Sequence, residues 1–333
     1  MVKVAIVGGS GSVAKEVVDA LVATGKHSIV LLSRQAAPEA GLEPAQEWIQ
    51  VDYTDMSQLV KAPQGVHTLL SFITTQSDPG NTTQINLINA SVQAGGGATL
   101  GNYESEANAL LMSVKRFAPS EWATSSFEHL PVYAGKAEIW TYLAELNKDK
   151  KVLEYCLFQP GLFTNYFAHP HQTAMHFRSF ETHIDFEHRR ALAVEGGDND
   201  RVTLTTVQDM AQVVARAVEY EGGWPVNGGI KGTELPVKEL LAIGERVRGS
   251  AFAIERMSRE DLEFGNVHCS WLPIVNHPGM PNPEAMAAMM TTSMILAISA
   301  GALNVSDEWN RLLPDYHFTQ AEDFLTAVWK DIP

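Results

Sequence analysis

Residues 2–25 read VKVAIVGGSGSVAKEVVDALVATG, in which an apolar run, a glycine cluster and a helical pattern follow one another directly. The apolar run is typical of a short buried strand. Gly8, Gly11 and Ala14 have the spacing G-x-x-G-x-x-A, with Ala14 in place of the usual third glycine. A strand, a glycine turn and a helix in this order predict a dinucleotide site, because the helix N-terminus and the close backbone favour a pyrophosphate. The alternative is a structural turn in a fold that has lost its cofactor.

Strand and helix patterns keep alternating after this first turn. Apolar strand patterns recur, beginning near residues 27, 47, 66, 114 and 153. The alternation indicates crossover connections, so we predict an α/β fold with a Rossmann-type doubly wound parallel sheet. We expect residues 1–161 to form the dinucleotide-binding domain. Residues 162–333 are expected to form a smaller C-terminal α+β lobe that binds substrate, packs closely on the first domain and crosses back to the sheet.

The composition limits the class of protein. The chain has 333 residues, 45% of them hydrophobic, and a formal net charge of -15. This acidic balance argues against nucleic acid as a partner, because a phosphate backbone would be repelled. Cys156 and Cys269 are the two cysteines, too few for a disulfide framework, which favours a reducing compartment. With no secretory signal pattern at the start, we expect a cytoplasmic protein.

Residues 285–303, AMAAMMTTSMILAISAGAL, form an uncharged segment. It is about long enough to cross a bilayer, for which roughly 20 residues are needed. Threonine and serine dilute its apolar character, and no basic cluster flanks it. We therefore predict a buried helix and no membrane partner. The expected partner is a small-molecule substrate, and the expected assembly is a monomer or a homodimer.

Ser33 and Arg34 end the second predicted strand, HSIVLLSR. An acidic side chain at this point would hydrogen-bond the adenosine ribose 2′-hydroxyl of NAD. A guanidinium suits the 2′-phosphate of NADP by its charge and its forked donors. The pattern therefore favours NADP(H), with an ordinary exposed arginine as the alternative.

Five motifs in the same order resemble a known family. They are VGGSGSVA, LLSR, VKRFAPSEW, the lysine of YAGKAEI, and FQPGLFTNYF. Together they cover most of the chain and are similar to NmrA-like, isoflavone-reductase-like proteins, which are atypical short-chain dehydrogenases. The residues of these motifs are most similar to those of fungal members, many of which act in secondary metabolism.

The resemblance implies a Rossmann domain that binds NADP(H) and a small C-terminal substrate lobe. By the matching motif, Lys136 corresponds to the catalytic lysine of the family. Ser120-Glu121-Trp122 corresponds to its SEF-type turn beside the nicotinamide, and Pro160, Gly161 and Phe163 to its loop over the cofactor. The full set of cofactor contacts that we predict is Gly8, Ser10, Gly11, Ser12, Val13, Arg34, Ser71, Phe72, Pro119, Ser120, Lys136, Pro160, Gly161 and Phe163.

Two stretches depart from the family pattern. The family often has a second basic residue soon after the arginine, whereas QAAPEAG at residues 35–41 has none. Residues 96–113, GGATLGNYESEANALLMS, separate a helix from VKRF, although family members connect the two almost directly. Such connections usually take about 2–6 residues. We interpret residues 96–113 as an unusual insertion, either a retained intron translated in frame or a lineage-specific surface loop.

Lys136 also stands out by its position in a helical pattern. Ile139, Trp140 and Leu143 follow it at the spacing of one helix face, so the lysine belongs to the apolar stripe. An inward lysine loses solvation, and its pKa falls toward neutrality, as a general acid or base requires. The alternative is a lysine that extends from the edge of the stripe to solvent.

Aromatic residues around the later motifs suit an apolar, aromatic or polycyclic substrate. The substrate contacts that we predict are Trp122, Tyr133, Tyr166, Phe167 and His169. Tyr133 precedes Lys136 by three residues and misses the ordinary Tyr-x-x-x-Lys dyad by one. It is therefore an auxiliary donor or, as we favour, a packing residue.

The histidines of HPHQTAMH, at positions 169, 171 and 176, have no nearby cysteine or carboxylate at a metal-binding spacing. We predict no metal site. They fit the rim of the substrate lobe better.

The leading hypothesis is an NADP(H)-dependent reductase that transfers a hydride to a small, apolar, natural-product-like substrate, with Lys136 as general acid or base. One alternative is a non-enzymatic regulator that senses NADP(H). The presence of the family lysine at Lys136 disfavours it, because a sensor needs no proton donor. A second alternative is a redox-assisted cyclase or isomerase of a biosynthetic intermediate, which would use the same pocket. The sequence does not separate this last reading from simple reduction.

Overall fold

The computed structural model describes residues 2–38, 46–62, 65–94, 114–274 and 282–332. Residues 96–113, the predicted insertion, lie outside the described residues. The described chain divides into two compact units. The first unit comprises Met1–Glu121, Val132–Phe158 and Ala211–Gly228, and the second comprises Trp122–Pro131, Gln159–Met210 and Gly229–Pro333. The division thus interleaves segments, where the sequence suggested one boundary after residue 161.

The first unit contains a six-stranded sheet in which every pairing is parallel. Its strands are β1 (Lys3–Val7), β2 (Ser28–Ser33), β3 (Gln46–Gln50), β4 (Val66–Ser71), β5 (Arg116–Ala118) and β6 (Glu154–Tyr155). Their spatial order, β3-β2-β1-β4-β5-β6, changes direction beside β1, where ligands bind in sheets of this type. The predicted Rossmann-type sheet is confirmed.

Helices flank this sheet and provide the crossover connections. They are α1 (Ser12–Ala23), α2 (Met56–Lys61), α3 (Thr82–Ala94) and α4 (Ala134–Leu146). The residues Val4–Val7 of β1 are fully buried, which explains why this central strand is an unbroken apolar run instead of an alternating one. Apolar side chains of the strands pack with Leu87, Ile139 and Leu143 from the helices in one core cluster.

The strand predicted from residue 153 is two strands. Cys156 separates β6 from β7 (Leu157–Gln159), and β7 pairs with β12 (Asn227–Gly229) instead of extending the parallel sheet. The Leu157 N–H donates to the Val226 carbonyl over 2.8 Å. The apolar pattern predicts extended backbone correctly, but it carries no information about which strand pairs with it.

The second unit contains two three-stranded mixed sheets. One has the order β14-β10-β9 and the other β13-β11-β8, and the strands are β8 (Leu162–Phe163), β9 (Ile184–Asp185), β10 (Arg190–Val194), β11 (Arg201–Thr205), β13 (Thr233–Pro236) and β14 (Ala253–Met257). Its helices are α6 (Val237–Arg248), α7 (Arg259–Glu263), α8 (Pro283–Ser299), α9 (Glu308–Leu312) and α10 (Ala321–Trp329), while α5 (Val207–Glu219) begins in this unit and ends in the first.

The uncharged segment at 285–303 forms most of α8. Ile295 and Leu296 on this helix are buried and pack with Leu192 and Val194 of β10. None of the helices in the described ranges is long and apolar enough to cross a membrane.

Gly161 in the second unit combines a positive φ with a close backbone contact. Its φ is 71°, and a Cβ atom there would lie 2.4 Å from the Thr203 carbonyl oxygen. Gly196 has a similar φ of 77° but no atom within 4 Å of such a Cβ. Gly161→Ala therefore combines backbone strain with a steric clash, whereas Gly196→Ala carries the strain alone.

We expect Gly196→Ala to lower the free energy of unfolding by about 1 kcal/mol, and Gly161→Ala to lower it by at least about 2 kcal/mol more. Thermal unfolding of both variants beside the parent protein measures the difference. Equal losses in the two variants would contradict the close approach at Gly161.

Candidate functional site

The glycine turn connects β1 to α1 in the first unit. Gly8 has a φ of 74°, and the Gly11 N–H closes the turn on the Gly8 carbonyl over 3.1 Å. A Cβ atom on Gly8 would lie 2.9 Å from both the carbonyl carbon and the carbonyl oxygen of Phe72. Only glycine fits here, because both the positive φ and the contact with the backbone after β4 exclude a side chain.

A cavity of about 240 Å³ opens beside this turn. Five predicted cofactor residues line it, and these are Gly8, Ser10, Gly11, Arg34 and Phe72. The other lining residues are Gly9, Leu32, Ser33, Gln35, Tyr53, Ile73, Thr74, Ser77 and Thr83. All belong to the first unit, and most follow the carboxyl ends of β1, β2 and β4. A position after a strand end is a signal that sequence reasoning could have applied to Thr74 and Ser77.

The lining of this cavity suits an anionic ligand. Arg34 is exposed directly after β2, and its charge acts on Tyr53 across the cavity lining. The first turn of α1 has no acidic residue, so the positive end of the helix dipole faces the glycine turn without a competing carboxylate. A glycine turn without side chains, a guanidinium and a helix N-terminus together fit the phosphates of a dinucleotide.

Tyr53 is a lining residue that the sequence reasoning missed. Its hydroxyl donates to the Leu32 carbonyl over 2.8 Å, and burial raises its pKa to about 12. The phenol thus remains protonated and holds the end of β2, immediately before Arg34. A tyrosine in a loop carries no periodic signal, so its contact with β2 becomes apparent only in the folded chain.

Other predicted cofactor residues of the first unit do not line the cavity. Ser12 and Val13 start α1, and Ser71 ends β4 as a fully buried residue. Pro119 and Ser120 follow β5, where the Ser120 N–H donates to the Gln84 side-chain oxygen over 2.9 Å. Their roles toward a cofactor remain predictions.

Lys136 lies in the first turn of α4 and is only 7% exposed. It is buried with Ile139 and Leu143 on one face of the helix, as their spacing predicts. Its Nζ donates a short hydrogen bond to the backbone carbonyl of Glu121 and lies 3.9 Å from the centre of the Tyr133 ring. Tyr133 therefore packs on the ammonium, and the distance suits a cation–π interaction.

Burial sets the acid–base properties of this group. Loss of solvation lowers the pKa of Lys136, and the nearby Glu121 carboxylate opposes the shift. Loss of solvation also raises the pKa of Glu121, which is 3% exposed. A lysine whose pKa is lowered toward the physiological range can give up and regain a proton during a reaction, which an ordinary surface lysine does not do efficiently.

The other residues predicted to contact cofactor or substrate lie in the second unit. Pro160 and Gly161 are adjacent there. The Gly161 N–H donates to the Ala123 carbonyl over 2.9 Å. Phe163 and Tyr166 form an aromatic cluster with Phe177, each ring lying 5.3 Å from that of Phe177. His169 and Trp122 are partly buried in this unit.

The structure corrects the expectation for Phe167. This residue is 1% exposed and packs in the core of the second unit with Phe186, and its carbonyl accepts a hydrogen bond from the Trp329 indole. A ring enclosed in this way has no free face for a substrate. The sequence grouped it with Tyr166 because the two are adjacent, but the short helical turn Thr164–Ala168 directs them differently.

The histidines at 169, 171 and 176 do not assemble a metal-ligand group in the described residues. One group with suitable spacing does occur there, formed by Glu181, Asp185 and His188. Arg190 already binds both of its carboxylates, at 2.6 Å to Glu181 and 2.8 Å to Asp185. A guanidinium of the chain therefore already occupies the side of this group where both carboxylates meet.

Comparison with known proteins identifies the family. Residues 8–180, just over half of the chain, match the model of a family described as NAD(P)H-binding. The chain belongs to this NAD(P)H-binding family. The matched range includes the glycine turn, Arg34, Lys136 and Gly161, and the predicted nicotinamide cofactor is confirmed at the level of NAD(P)H.

Several known proteins are similar to this chain over nearly its whole length. "Oxidoreductase swnN" from the fungus Metarhizium robertsii is 26% identical, and the match covers 99% of this chain and 98% of the relative. An NADPH-dependent quinone oxidoreductase from Escherichia coli has a similar fold, with a TM-score of 0.66, 19% identity, and coverage of 98% of this chain and 100% of the other. An isoflavone reductase also has a similar fold, with a TM-score of 0.65 and 16% identity, and the match covers 98% of each chain. The resemblance to isoflavone-reductase-like proteins is confirmed.

Gly8 provides a direct test of the cavity. Gly8→Ala places a methyl group against the Phe72 backbone, so the turn must shift away from its phosphate-binding geometry. We expect at least about a tenfold weaker affinity for NADPH, which corresponds to about 1.4 kcal/mol. Titration of the intrinsic fluorescence with NADPH measures it.

Gly25→Ala is the matched control for this substitution. Gly25 lies after the other end of α1 with a φ of 66°, and no atom lies within 4 Å of a Cβ there. A Gly8→Ala protein that binds NADPH as tightly as Gly25→Ala would show that the turn does not hold the dinucleotide.

Proposed function

We propose that this protein is an NADPH-dependent reductase of a small, apolar, ring-containing substrate, with Lys136 as the general acid or base. The observation that carries the proposal is the buried ammonium of Lys136 in the same unit as the glycine turn and Arg34. A dinucleotide-binding fold needs no proton donor for binding alone, whereas reduction of a carbonyl or an activated double bond does.

The cofactor would bind through residues that line the described cavity. The glycine turn and the start of α1 suit the pyrophosphate, and Arg34 suits the 2′-phosphate that distinguishes NADPH from NADH. When bound, NADPH supplies the hydride. The E. coli relative of similar fold is described as NADPH-dependent, which supports the same preference here.

Lys136 would manage the proton that accompanies the hydride. In its ammonium form it can donate that proton to the substrate atom that becomes negative, and the neutral amine then regains a proton from solvent. The hydrogen bond to the Glu121 carbonyl and the Tyr133 ring hold Nζ in place, so little reorganisation precedes the transfer.

The proposed substrate class follows from the fold comparisons and from one aromatic side chain. Two proteins of similar fold are described as a quinone oxidoreductase and an isoflavone reductase, which act on ring compounds. Tyr166 is a partly exposed aromatic side chain of the same kind, and it packs on the buried rings of Phe163 and Phe177. We propose Trp122, Tyr133, Tyr166 and His169 as substrate contacts and omit the buried Phe167.

Arg34 tests the choice of cofactor. We expect Arg34→Gln to weaken NADPH binding about tenfold, because a charge-assisted contact with a phosphate is lost, and to leave NADH binding unchanged. Lys61→Gln removes the same charge from an exposed residue of α2 that does not line the cavity. Fluorescence titrations with both nucleotides decide the matter, and parallel weakening of NADPH and NADH by Arg34→Gln would refute the 2′-phosphate contact.

Lys136 tests the chemistry. The measurement is the loss of NADPH absorbance with a panel of simple quinones and flavonoids as probes. For any probe that is reduced, we expect Lys136→Met to lower kcat by about 10²–10⁴-fold while NADPH binding changes little.

Lys148→Met removes an exposed lysine just after the end of the same helix and should behave as the parent protein does. Turnover by Lys136→Met at the parent rate would remove the assigned role. If no probe is reduced although NADPH binds, the sensing hypothesis gains instead.

A further inference from the structure

Glu121 is a buried carboxyl group that the proposed reaction does not use directly. It is 3% exposed, and among the described residues its Oε1 atom has no hydrogen-bond partner. A buried carboxylate is costly unless other groups stabilise its charge. Lys136 and Trp140 stabilise the charged form of Glu121, whereas Glu154 and Glu219 of the same unit are ion-paired.

The same residue contacts Lys136 through its backbone. The Glu121 carbonyl accepts the hydrogen bond from Nζ, and the Tyr133 ring lies on the ammonium at 3.9 Å. The Glu121 N–H donates to the Pro119 carbonyl over 2.8 Å and so holds the turn in which this carbonyl stands. Glu121 thus offers the lysine one fixed acceptor and one nearby group of variable charge.

We propose that Glu121 is the positioning residue of Lys136, which anchors Nζ by its backbone carbonyl and controls the charge of the ammonium by its buried side chain. The inference rests on the proposed function only for its effect on turnover. The coupling between the two side chains is a property of the protein itself and can be measured without a substrate.

Among the described residues of this unit, Glu121 is the charged group that acts on Lys136. Tyr133 faces the ammonium, and burial and the Glu121 charge both raise the pKa of its phenol. Trp140, one turn further along α4, favours the charged form of Glu121. Glu138 on the same helix is exposed and accepts from the Asn81 side chain over 2.6 Å, and Asp78 accepts from the N–H groups of Thr83 and Gln84.

The direction of the coupling follows from these charges. Burial lowers the pKa of Lys136, and the carboxylate of Glu121 raises it again. As pH increases and Glu121 loses its proton, the new negative charge helps Lys136 to keep its own. Removal of that charge leaves burial unopposed, so the pKa of Lys136 must fall further.

Glu121→Gln isolates the charge, because the glutamine keeps the backbone carbonyl and nearly the same volume. We expect the titration midpoint of Lys136 to fall by about one pH unit. At a pH above both midpoints, the ammonium fraction is then about tenfold smaller than in the parent. The midpoint is measured by NMR of the side-chain carbon next to Nζ in protein labelled with ¹³C-lysine, with the signal assigned by Lys136→Arg. Glu121→Asp keeps the charge, so its midpoint should lie nearer to that of the parent than the Glu121→Gln midpoint does.

Glu138→Gln is the matched control, since it removes an exposed carboxylate two residues from Lys136. Its Lys136 midpoint should equal that of the parent. An unchanged midpoint in Glu121→Gln would overturn the proposal, as would an equal shift in Glu138→Gln. If Glu121→Gln does not fold, the parent protein decides the question, because the Lys136 signal must show a second step from the coupled Glu121, and the absence of that step would overturn the proposal.

Turnover provides the second readout with any reduced probe. The alkaline limb of kcat against pH should move to lower pH in Glu121→Gln, with kcat about tenfold lower above the limb and KM for NADPH unchanged. A shifted NMR midpoint together with full activity of Lys136→Met would leave the coupling intact and refute the proposed function instead. A purely structural role of Glu121 would lower kcat equally at every pH and leave the Lys136 midpoint in place.

Discussion

The absence of a side chain at Gly8 is the constraint on which the cofactor site depends. The backbone after β1 passes so close to the backbone after β4 that a Cβ atom would lie 2.9 Å from the Phe72 carbonyl. This contact turns the chain directly into α1 and directs the helix N-terminus at the cavity. Tyr53 holds the neighbouring end of β2, so that Arg34 leaves the sheet at the same edge. The form of the proposed cofactor cavity thus follows from one close approach and one buried phenol.

A second buried interaction in the same unit involves Lys136, the proposed general acid or base. Lys136 and Glu121 are both removed from solvent, and neither would be stable there as an isolated charge. The Glu121 carbonyl and the Tyr133 ring stabilise the ammonium by a hydrogen bond and a quadrupole, without neutralising it. The lysine therefore stays poised between its two protonation states, which a fully paired ammonium would not.

Several parts of this architecture could be predicted from the sequence because local periodicity determines them. The apolar run of β1, the helical stripe of Lys136, Ile139 and Leu143, and the strand-turn-helix order all repeat within a few residues. The prediction was wrong for Phe167, which fills the core, and for the single strand at residue 153, which breaks at Cys156. Both errors concern the partner of a residue, and a partner distant in the chain has no local pattern.

The sequence by itself determined the fold class, the glycine turn and the inward direction of Lys136, because backbone conformation and helix spacing are properties of neighbouring residues. Only the tertiary structure decided that Tyr53 holds the end of β2 and that the carbonyl of Glu121 receives the ammonium of Lys136. These contacts join residues 21 and 15 positions apart. The pKa of a buried group depends on such neighbours and on its loss of solvent, and both exist only after the chain has folded.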